Sequence, residues 1–403
     1  MSQEFTTLKI ATAVLPIVSG VISVLGSSTL ISVMVRSEKK VSTTYRRLLL
    51  GMSCLDIIFS IACLSSTFPS PRNLKSSNWI AIGTTQTCTL QGLMIYVGSI
   101  GTTMYNSMLS IFYLLTIAFN VREDVMVKWC EPFFHAIPFL YLVSTSILLL
   151  VTTSFNTMGT FCGIASFPKY CNSDPDLECT RGLKAPQYVW YFQGYPIISM
   201  FVLIATSMIA VYCSVRVQEQ KMEKYRMNHS TLPSRIQELR RASINTSVST
   251  NHGIGSASPR QVQTPRGTSD PSSRNRRAAM IQCLCYVSAY FLTWIFTIIL
   301  RVVPSGRVGN AIWLLANFFS PLQGFLNFLV FIRPQVKELR DFDNISIWKA
   351  TIEIIKNGGM DLGTRRRRES LRDTQQNGGT RFTAREWHMR QAVQEEAHTE
   401  FAD

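Results

Sequence analysis

The residue best placed to do chemistry in this sequence is Asp56, the only carboxylate deep within any of its long apolar runs. An ionised side chain is costly inside a bilayer and usually has a function there. The alternative is a structural Asp, neutralised by hydrogen bonds to Ser or Asn on neighbouring helices, and the cost argument favours the functional role. Candidate partners are Thr102, Ser107, Asn317 and Asn327.

Four of the ten cysteines lie between the apolar runs or at their edges, on the predicted outer side of the membrane, where disulfides are expected to persist. Four cysteines allow three pairings. Cys171 and Cys179 lie close enough in sequence to close a local loop. Cys88 is within chain reach of both Cys162 and Cys171, so its partner stays open on spacing alone.

The sequence offers no pattern of residues for an enzyme or a cofactor site. His135 is the only histidine near an apolar run, and a metal site needs a cluster of ligands. A retinal-binding protein needs a Schiff-base lysine in its last span, and runs 279–303 and 309–332 contain none. We therefore expect no catalytic residue, no metal and no cofactor.

Long apolar helices must position these residues. The chain has 403 residues, of which 46% are hydrophobic and only 16% charged, which excludes fibrous and wholly disordered proteins. A helix needs about 20 mostly apolar residues to cross a bilayer. Seven runs satisfy this and predict an all-α membrane protein, a seven-helix bundle. The runs are 10–35, 47–68, 88–119, 132–154, 187–215, 279–303 and 309–332.

The distribution of Lys and Arg predicts the orientation. The short segment 36–47 carries five basic residues, against two in 69–87. By the positive-inside rule, the N-terminus lies outside and the C-terminus in the cytoplasm of a multi-pass protein, expected in the plasma membrane. The net charge of +15 is then mostly cytoplasmic, which favours anionic membrane lipid as a partner over nucleic acid.

The segments outside the spans differ in composition. Ser, Thr, Asn and Arg dominate the long inner loop, which predicts disorder, most clearly over 242–276. The start of the loop, 216–241, is also a candidate continuation of the fifth helix. After Pro334, the residues Val336, Leu339 and Phe342 recur at helical spacing and predict a short amphipathic helix. The predicted regions are an extracellular N-terminus at 1–9, helices 1–5 within 10–217, a disordered cytoplasmic loop at 218–276, helices 6 and 7 within 277–332, an amphipathic helix at 333–356 and a disordered tail at 357–403.

Two stretches resemble G-protein-coupled receptors. Cys88-Thr89-Leu90-Gln91-Gly92 is similar to the start of helix 3 in the cyclic-AMP-receptor-like group. The stretch from Pro321 to Phe331 resembles helix 7 of that group, and parts of it recur in secretin and adhesion receptors. The resemblance covers about residues 8–355.

The resemblance implies a cell-surface receptor, not an enzyme. It would bind an extracellular ligand within the bundle and would activate a heterotrimeric G protein. The ligand would be a small molecule or a peptide, and we expect it to be small. The resemblance also implies a Cys88–Cys162 disulfide, which leaves Cys171 to pair with Cys179. The implied switch residues are Asp56, Trp294, Pro321 and Asn327.

Three positions depart from the rhodopsin-like pattern. Tyr113 stands near the place of the helix 3 arginine, and Phe296 stands where helix 6 usually has proline. Asn327 begins a motif that lacks the usual proline and tyrosine. These departures predict that the usual ionic lock is absent or built differently. Pro196 and Pro321 are candidate bending points, and a static kink is an equal alternative for both.

The remaining predictions concern ligand and regulation. Aromatic residues and one amide near the outer ends are candidate pocket residues. An interfacial belt or packing explains the aromatic residues equally well, and the belt is favoured for Trp190 and Trp313. Kinases and an arrestin-like protein are expected partners for the inner segments, the alternative being unmodified Ser-rich sequence. The main functional alternative is a transporter or channel without signalling activity. The candidate pocket residues are Gln91, Trp190, Tyr191, Trp294 and Trp313, and the candidate phosphorylation sites are Ser243, Ser258, Thr264 and Ser370.

Overall fold

The structure is a computed structural model that describes most of the chain. For 2–9, 223, 225–247 and 271–276 it describes the backbone only. The candidate phosphorylation sites Ser258, Thr264 and Ser370 lie outside the described residues, and Ser243 lies where only the backbone is described. The described residues are 2–37, 41–72, 81–168, 171–172, 174, 176–247, 271–303 and 309–358.

The described chain is mainly helical, and its long helices match the seven predicted runs in order. The fourth is preceded by the short turns Glu123–Val125 and Met126–Cys130, and the fifth by Ala185–Val189 and Trp190–Gly194. The helices are α1 (Ser2–Arg36), α2 (Thr44–Leu64), α3 (Thr85–Tyr113), α4 (Glu131–Val151), α5 (Tyr195–Ser247), α6 (Pro271–Val302), α7 (Asn310–Phe319), α8 (Gln323–Asp343) and α9 (Ile347–Asn357).

Six spans among the described residues are long and apolar enough to cross a membrane, and α3 is the predicted span that is not among them. The reason lies in its position. Many Ser, Thr, Gly and Asn residues of α3 are buried, including Ser99, Thr102 and Asn106. The helix contacts α2, α4, α5 and α6. A helix surrounded by protein can carry polar residues that a lipid-facing helix cannot.

The seventh span has two parts. α7 and α8 are joined by the 3-10 turn Ser320–Leu322, which contains Pro321. Proline lacks the N–H that a regular helix needs at this point, so the backbone tightens locally. The other candidate bending residue, Pro196, lies in the first turn of α5.

Two predicted boundaries differ from the structure. The helix predicted at 333–356 does not begin at Pro334, because α8 continues through that proline to Asp343. A separate short helix follows the last span, as predicted, but it is α9. The loop predicted at 218–276 is also shorter, since α5 extends to Ser247 and α6 begins at Pro271.

The chain divides into two compact units. The first comprises Met1–Ile31 and Val41–Phe331, and the second comprises Ser32–Lys40 and Ile332–Asp403. In the second unit, Ser346 caps the N-terminus of α9 and Gly358 ends it with a positive φ of 68°. Ala350 and Ile354 of α9 are buried. Its exposed apolar residues are Ile347, Trp348 and Ile352.

In the first unit, glycines bring helices into close contact. A Cβ atom on Gly98 of α3 would lie 2.6 Å from the Cβ of Phe59 and 2.8 Å from its Cα, both on α2. Phe59 itself packs in a core cluster with Trp294 of α6 and Ile204 of α5. Close backbone approach at small residues is a general way to pack membrane helices.

Replacing Gly98 with alanine should therefore destabilise the bundle. The added methyl group forces α2 and α3 apart, and overpacking of this kind costs about 1–3 kcal/mol. We expect a lower melting temperature for detergent-solubilised Gly98→Ala than for the wild type. Gly309→Ala is the control, because a Cβ there would meet no atom within 4 Å. Equal melting temperatures for the two variants would contradict the packing argument.

Candidate functional site

A β-hairpin between α4 and α5 covers one end of the bundle. β1 (Phe155–Thr157) pairs antiparallel with β2 (Cys162–Ile164). A disulfide joins Cys162 to Cys88 in the first turn of α3, with a Cα–Cα distance of 5.4 Å. This is the pairing that the family resemblance implied. The disulfide fixes the hairpin over the ends of the helices.

The side-chain amide of Gln91 fastens the same hairpin. Its Oε1 accepts a hydrogen bond of 3.0 Å from the backbone N–H of Cys162. Its Nε2 donates to the carbonyl of Ser66 at 2.6 Å and to that of Ala62 at 3.1 Å. Gln91, proposed above as a pocket residue, is therefore a buried connector between α2, α3 and the hairpin.

The second disulfide lies further along the same loop. Cys171 pairs with Cys179, as their spacing indicated, with a Cα–Cα distance of 5.2 Å. Nearby, Phe167 and Arg181 form an isolated antiparallel bridge. These links constrain the chain between the hairpin and the start of the fifth span.

Beneath the hairpin lies a cavity of about 310 Å³. Side chains from α2, α3, α6 and α7 form its walls, and most of them are apolar or aromatic. Trp294 and Trp313, two of the candidate pocket residues, line it. Trp190 and Tyr191 do not, and their exposed fractions of 38% and 63% agree with the alternative of an interfacial belt.

Trp294 forms part of the inner wall of the cavity. Its ring stacks on Phe59 of α2 with a centroid distance of 5.8 Å and lies 6.3 Å from that of Tyr290. Pro321, in the turn between α7 and α8, lines the same cavity. Two of the predicted switch residues therefore contact the space in which a ligand would lie.

The other two switch residues lie deeper and contact each other. Asp56 is 1% exposed. Its Oδ1 accepts a hydrogen bond of 3.0 Å from the hydroxyl of Thr102, and its Oδ2 accepts one of 2.8 Å from Nδ2 of Asn327. Each carboxylate oxygen thus has a donor from a different helix. Of the four partners considered from the sequence, the structure brings these two to Asp56.

The hydrogen-bond chain continues towards the cavity. Oδ1 of Asn327 accepts from Nε2 of Gln323 at 3.2 Å, and Oε1 of Gln323 accepts from the hydroxyl of Thr293. Thr293 immediately precedes Trp294 on α6. We call Thr102, Asp56, Asn327, Gln323 and Thr293 the polar chain. It joins α3, α2, α8 and α6.

Gln323 and Thr293 were missed in the sequence analysis. Gln323 lies one helical turn before Asn327, so the four-residue spacing of two amides was a usable signal. Thr293 offered no comparable signal, because threonines are common in membrane helices. The two remaining candidates lie elsewhere: Ser107 donates to the carbonyl of Thr103, and Asn317 donates to that of Trp313.

A tyrosine cluster closes the end of the bundle opposite the cavity. The hydroxyl of Tyr45, on α2, lies 3.0 Å from that of Tyr286 on α6 and accepts a hydrogen bond of 2.9 Å from Nε2 of Gln282. The ring of Tyr113, at the end of α3, lies 6.1 Å from the ring of Tyr45. We call these four residues the tyrosine cluster. Neutral hydrogen bonds thus join α2 and α6 beside Tyr113, which stands near the place of the helix 3 arginine in the rhodopsin-like pattern.

A separate ion pair joins α2 to α4 at the same end. The guanidinium of Arg47 contacts the carboxylate of Glu131, with Nη2 to Oε2 at 2.6 Å. The hydroxyl of Thr44 donates to the same oxygen at 2.7 Å. The pair formed by Arg122 and Asp124, in contrast, is exposed, and exposed pairs contribute little to stability.

The comparisons with known proteins establish the fold. No protein-family model matches the sequence, and neither does any curated protein. The crystal structure of squid rhodopsin is similar, with a TM-score of 0.53 and 13% sequence identity, over 88% of this chain and 92% of that one. The chain is thus a multi-pass, all-α membrane protein with a rhodopsin-like seven-helix bundle. Its assignment to the cyclic-AMP-receptor-like branch stays a prediction.

Removing the amide of Asn327 should disconnect the polar chain. Asn327→Ala leaves one oxygen of Asp56 without its donor, and an unsatisfied buried group costs about 1–3 kcal/mol, more when it is charged. We expect a clear drop in the melting temperature of the purified protein. Asn317→Ala is the matched control, since Asn317 donates to the carbonyl of Trp313 in its own helix and, among the described residues, to no other helix. Similar melting temperatures for both variants would show that the polar chain contributes little to the free energy of unfolding.

Proposed function

We propose that this protein is a G-protein-coupled receptor that binds a small extracellular ligand in the cavity beneath the hairpin. The observation that carries the proposal is the continuity of contacts between the cavity and the tyrosine cluster. Trp294 borders the cavity, the adjacent Thr293 begins the polar chain, and α6 also carries Tyr286 and Gln282. A ligand that moves α6 near Trp294 acts on the same helix that the tyrosine cluster holds.

The proposed orientation places the hairpin outside and the tyrosine cluster in the cytoplasm. The stretch 36–47, which joins α1 to α2 and includes their adjoining ends, carries five basic residues, which favours a cytoplasmic location. The disulfide between Cys88 and Cys162 suits the outer face of a plasma membrane, where disulfides persist. The inner basic segments would contact anionic lipid.

In the proposed mechanism, the ligand shifts an equilibrium between two packings of the bundle. A ligand can shift that equilibrium only by its differential affinity for the two states. Displacement of Trp294 would break the stacking on Phe59 and alter the bond from Thr293 to Gln323. The inner end of α6 would then leave α2 and open a cleft for the G-protein α-subunit.

Nucleotide exchange on a co-expressed heterotrimeric G protein tests the proposal. We expect a ligand found by screening to accelerate exchange, and Trp294→Ala to reduce its potency by about tenfold or more, as expected from losing a large buried aromatic contact. Trp190→Ala is the matched control, because Trp190 does not line the cavity. Ligand-independent solute flux in vesicles without exchange on any G protein would support the transporter or channel instead.

Loosening the tyrosine cluster should raise signalling without a ligand. Tyr45→Phe keeps the ring but removes the hydroxyl that meets Tyr286 and Gln282. Each net hydrogen bond contributes about 1 kcal/mol, so losing one of the two favours the open packing about fivefold and losing both about thirtyfold. We expect higher basal nucleotide exchange at equal surface expression.

The control is Tyr212→Phe, which removes a hydroxyl of α5 that meets Arg216 on the same helix. It should leave basal exchange unchanged. A Tyr45→Phe receptor with wild-type basal exchange would show that the cluster does not hold the inactive packing.

A further inference from the structure

One face of α6 presents three polar side chains to the cavity. Trp294, Thr297 and Arg301 all line it, together with Leu300. They are spaced three and four residues apart, the spacing that places side chains on one side of a helix. At 1.5 Å per residue, Arg301 lies about 10 Å along the axis from Trp294. The cavity therefore has a polar stripe along a mostly apolar interior.

Arg301 is the charged member of this stripe. Its Nη2 donates to Oε1 of Gln193 at 2.7 Å. Gln193 is neutral, and no carboxylate among the described residues lies within ion-pair distance of Arg301. No Asp or Glu is among the residues lining the cavity. Guanidinium has five N–H donors, so one neutral acceptor leaves most of its bonding capacity for other groups.

The other two members also carry donors with bonding capacity. Nε1 of Trp294 and Oγ1 of Thr297 are buried and have no hydrogen-bond partner in the part of the chain that the structure describes. A buried donor without a partner is unfavourable, and such groups are rare in native proteins. Both residues lie on the wall of the cavity. An acceptor atom within the cavity would satisfy them.

We propose that the cavity selects a small monocarboxylate, an inference that rests on the function proposed above. The carboxylate binds the guanidinium of Arg301, the apolar body fills the space between Phe59, Trp294 and Trp313, and any oxygen acceptor on that body meets Thr297 or Trp294. Arginine pairs with carboxylates through two parallel hydrogen bonds, which gives both affinity and orientation.

Charge and size narrow the class of ligand. A dianion such as a phosphate monoester would bring a second negative charge that no other cation of the cavity lining balances. A cation would face Arg301 at close range with no acidic residue in the lining. The volume of about 310 Å³ is at the lower end for small-molecule sites, so the apolar body is limited to one or two rings or a short alkyl chain.

Matched acid and ester probes test the proposal on the full-length receptor in lipid nanodiscs. The probes are octanoate, phenylbutyrate and naphthylacetate, each beside its methyl ester, and the measurement is the ligand-induced rise in melting temperature over a concentration series. We expect at least one acid to bind about tenfold or more tightly than its ester, the difference expected for a charge-assisted hydrogen bond.

Arg301→Gln should abolish the preference for acid over ester, and Arg301→Lys should retain part of it, because lysine keeps the charge but not the paired geometry. The control is Lys184→Gln, which removes an exposed positive charge outside the cavity lining and should leave the preference intact. If Arg301→Gln does not fold, the wild-type acid and ester pairs together with Arg301→Lys still decide the question.

The outcomes separate this proposal from the receptor proposal. Equal binding of acids and esters, or an acid preference that survives in Arg301→Gln, overturns the monocarboxylate. If the esters bind and Trp294→Ala removes their binding, the cavity remains a ligand site and only the proposed ligand class fails. The absence of any acid that binds more tightly than its ester overturns the proposed ligand class. The receptor function is tested separately, by nucleotide exchange.

Discussion

The need to satisfy a buried carboxylate governs how the helices of this bundle meet. Asp56 is buried, and leaving either of its oxygens without a donor would cost about 1–3 kcal/mol of folding free energy, more when the group is charged. Thr102 and Asn327 provide the donors from α3 and α8. In the structure, Asn327 turns its nitrogen towards Asp56 and its oxygen towards Gln323. Gln323 in turn donates from its nitrogen to Asn327 and accepts at its oxygen from Thr293, so bonds that begin at one carboxyl group extend across four helices.

Close backbone contacts make these bonds geometrically feasible. A Cβ on Gly26 of α1 would lie 2.7 Å from the Cα of Phe325 on α8, so only glycine lets the two backbones approach as they do. Within hydrocarbon there is little hydrophobic drive to associate helices, so packing and polar contacts must hold them together. The glycine contacts and the polar chain therefore support one another. Shifting α8 outwards to accommodate a side chain at Gly26 would also move Asn327 away from Asp56.

The spans and the centre of the polar chain could be predicted from the sequence, because both depend on the free-energy cost of placing polar groups in a bilayer. Apolar runs of sufficient length identified the helices, and a lone intramembrane Asp pointed to polar partners that included Thr102 and Asn327. The tyrosine cluster could not be predicted in the same way. Tyr45 and Tyr286 are 241 residues apart, and tyrosine near the end of a span suits an interfacial belt equally well. Their contact depends on how the helices rotate about their axes, which apolar patterning alone does not specify. The residues of α6 that face the cavity depend on the same rotation.

In the proposed mechanism, the contacts at the end of the bundle opposite the cavity determine how much differential affinity a ligand must supply. The bonds that join α2 to α6 in the tyrosine cluster are neutral, and each contributes only about 1 kcal/mol net. Changing a two-state ratio from 1:99 to 99:1 requires about 5.5 kcal/mol of differential affinity, and each neutral bond to be broken adds little to that requirement. The ion pair of Arg47 and Glu131 joins α2 to α4, not to α6, so its stronger interaction can persist while α6 moves. In the proposed mechanism, a strong contact between helices that stay together and weaker contacts at the helix that moves would keep the bundle intact in both states. A small ligand that meets α6 at Arg301 and Trp294 would then act on a helix that neutral hydrogen bonds hold to α2.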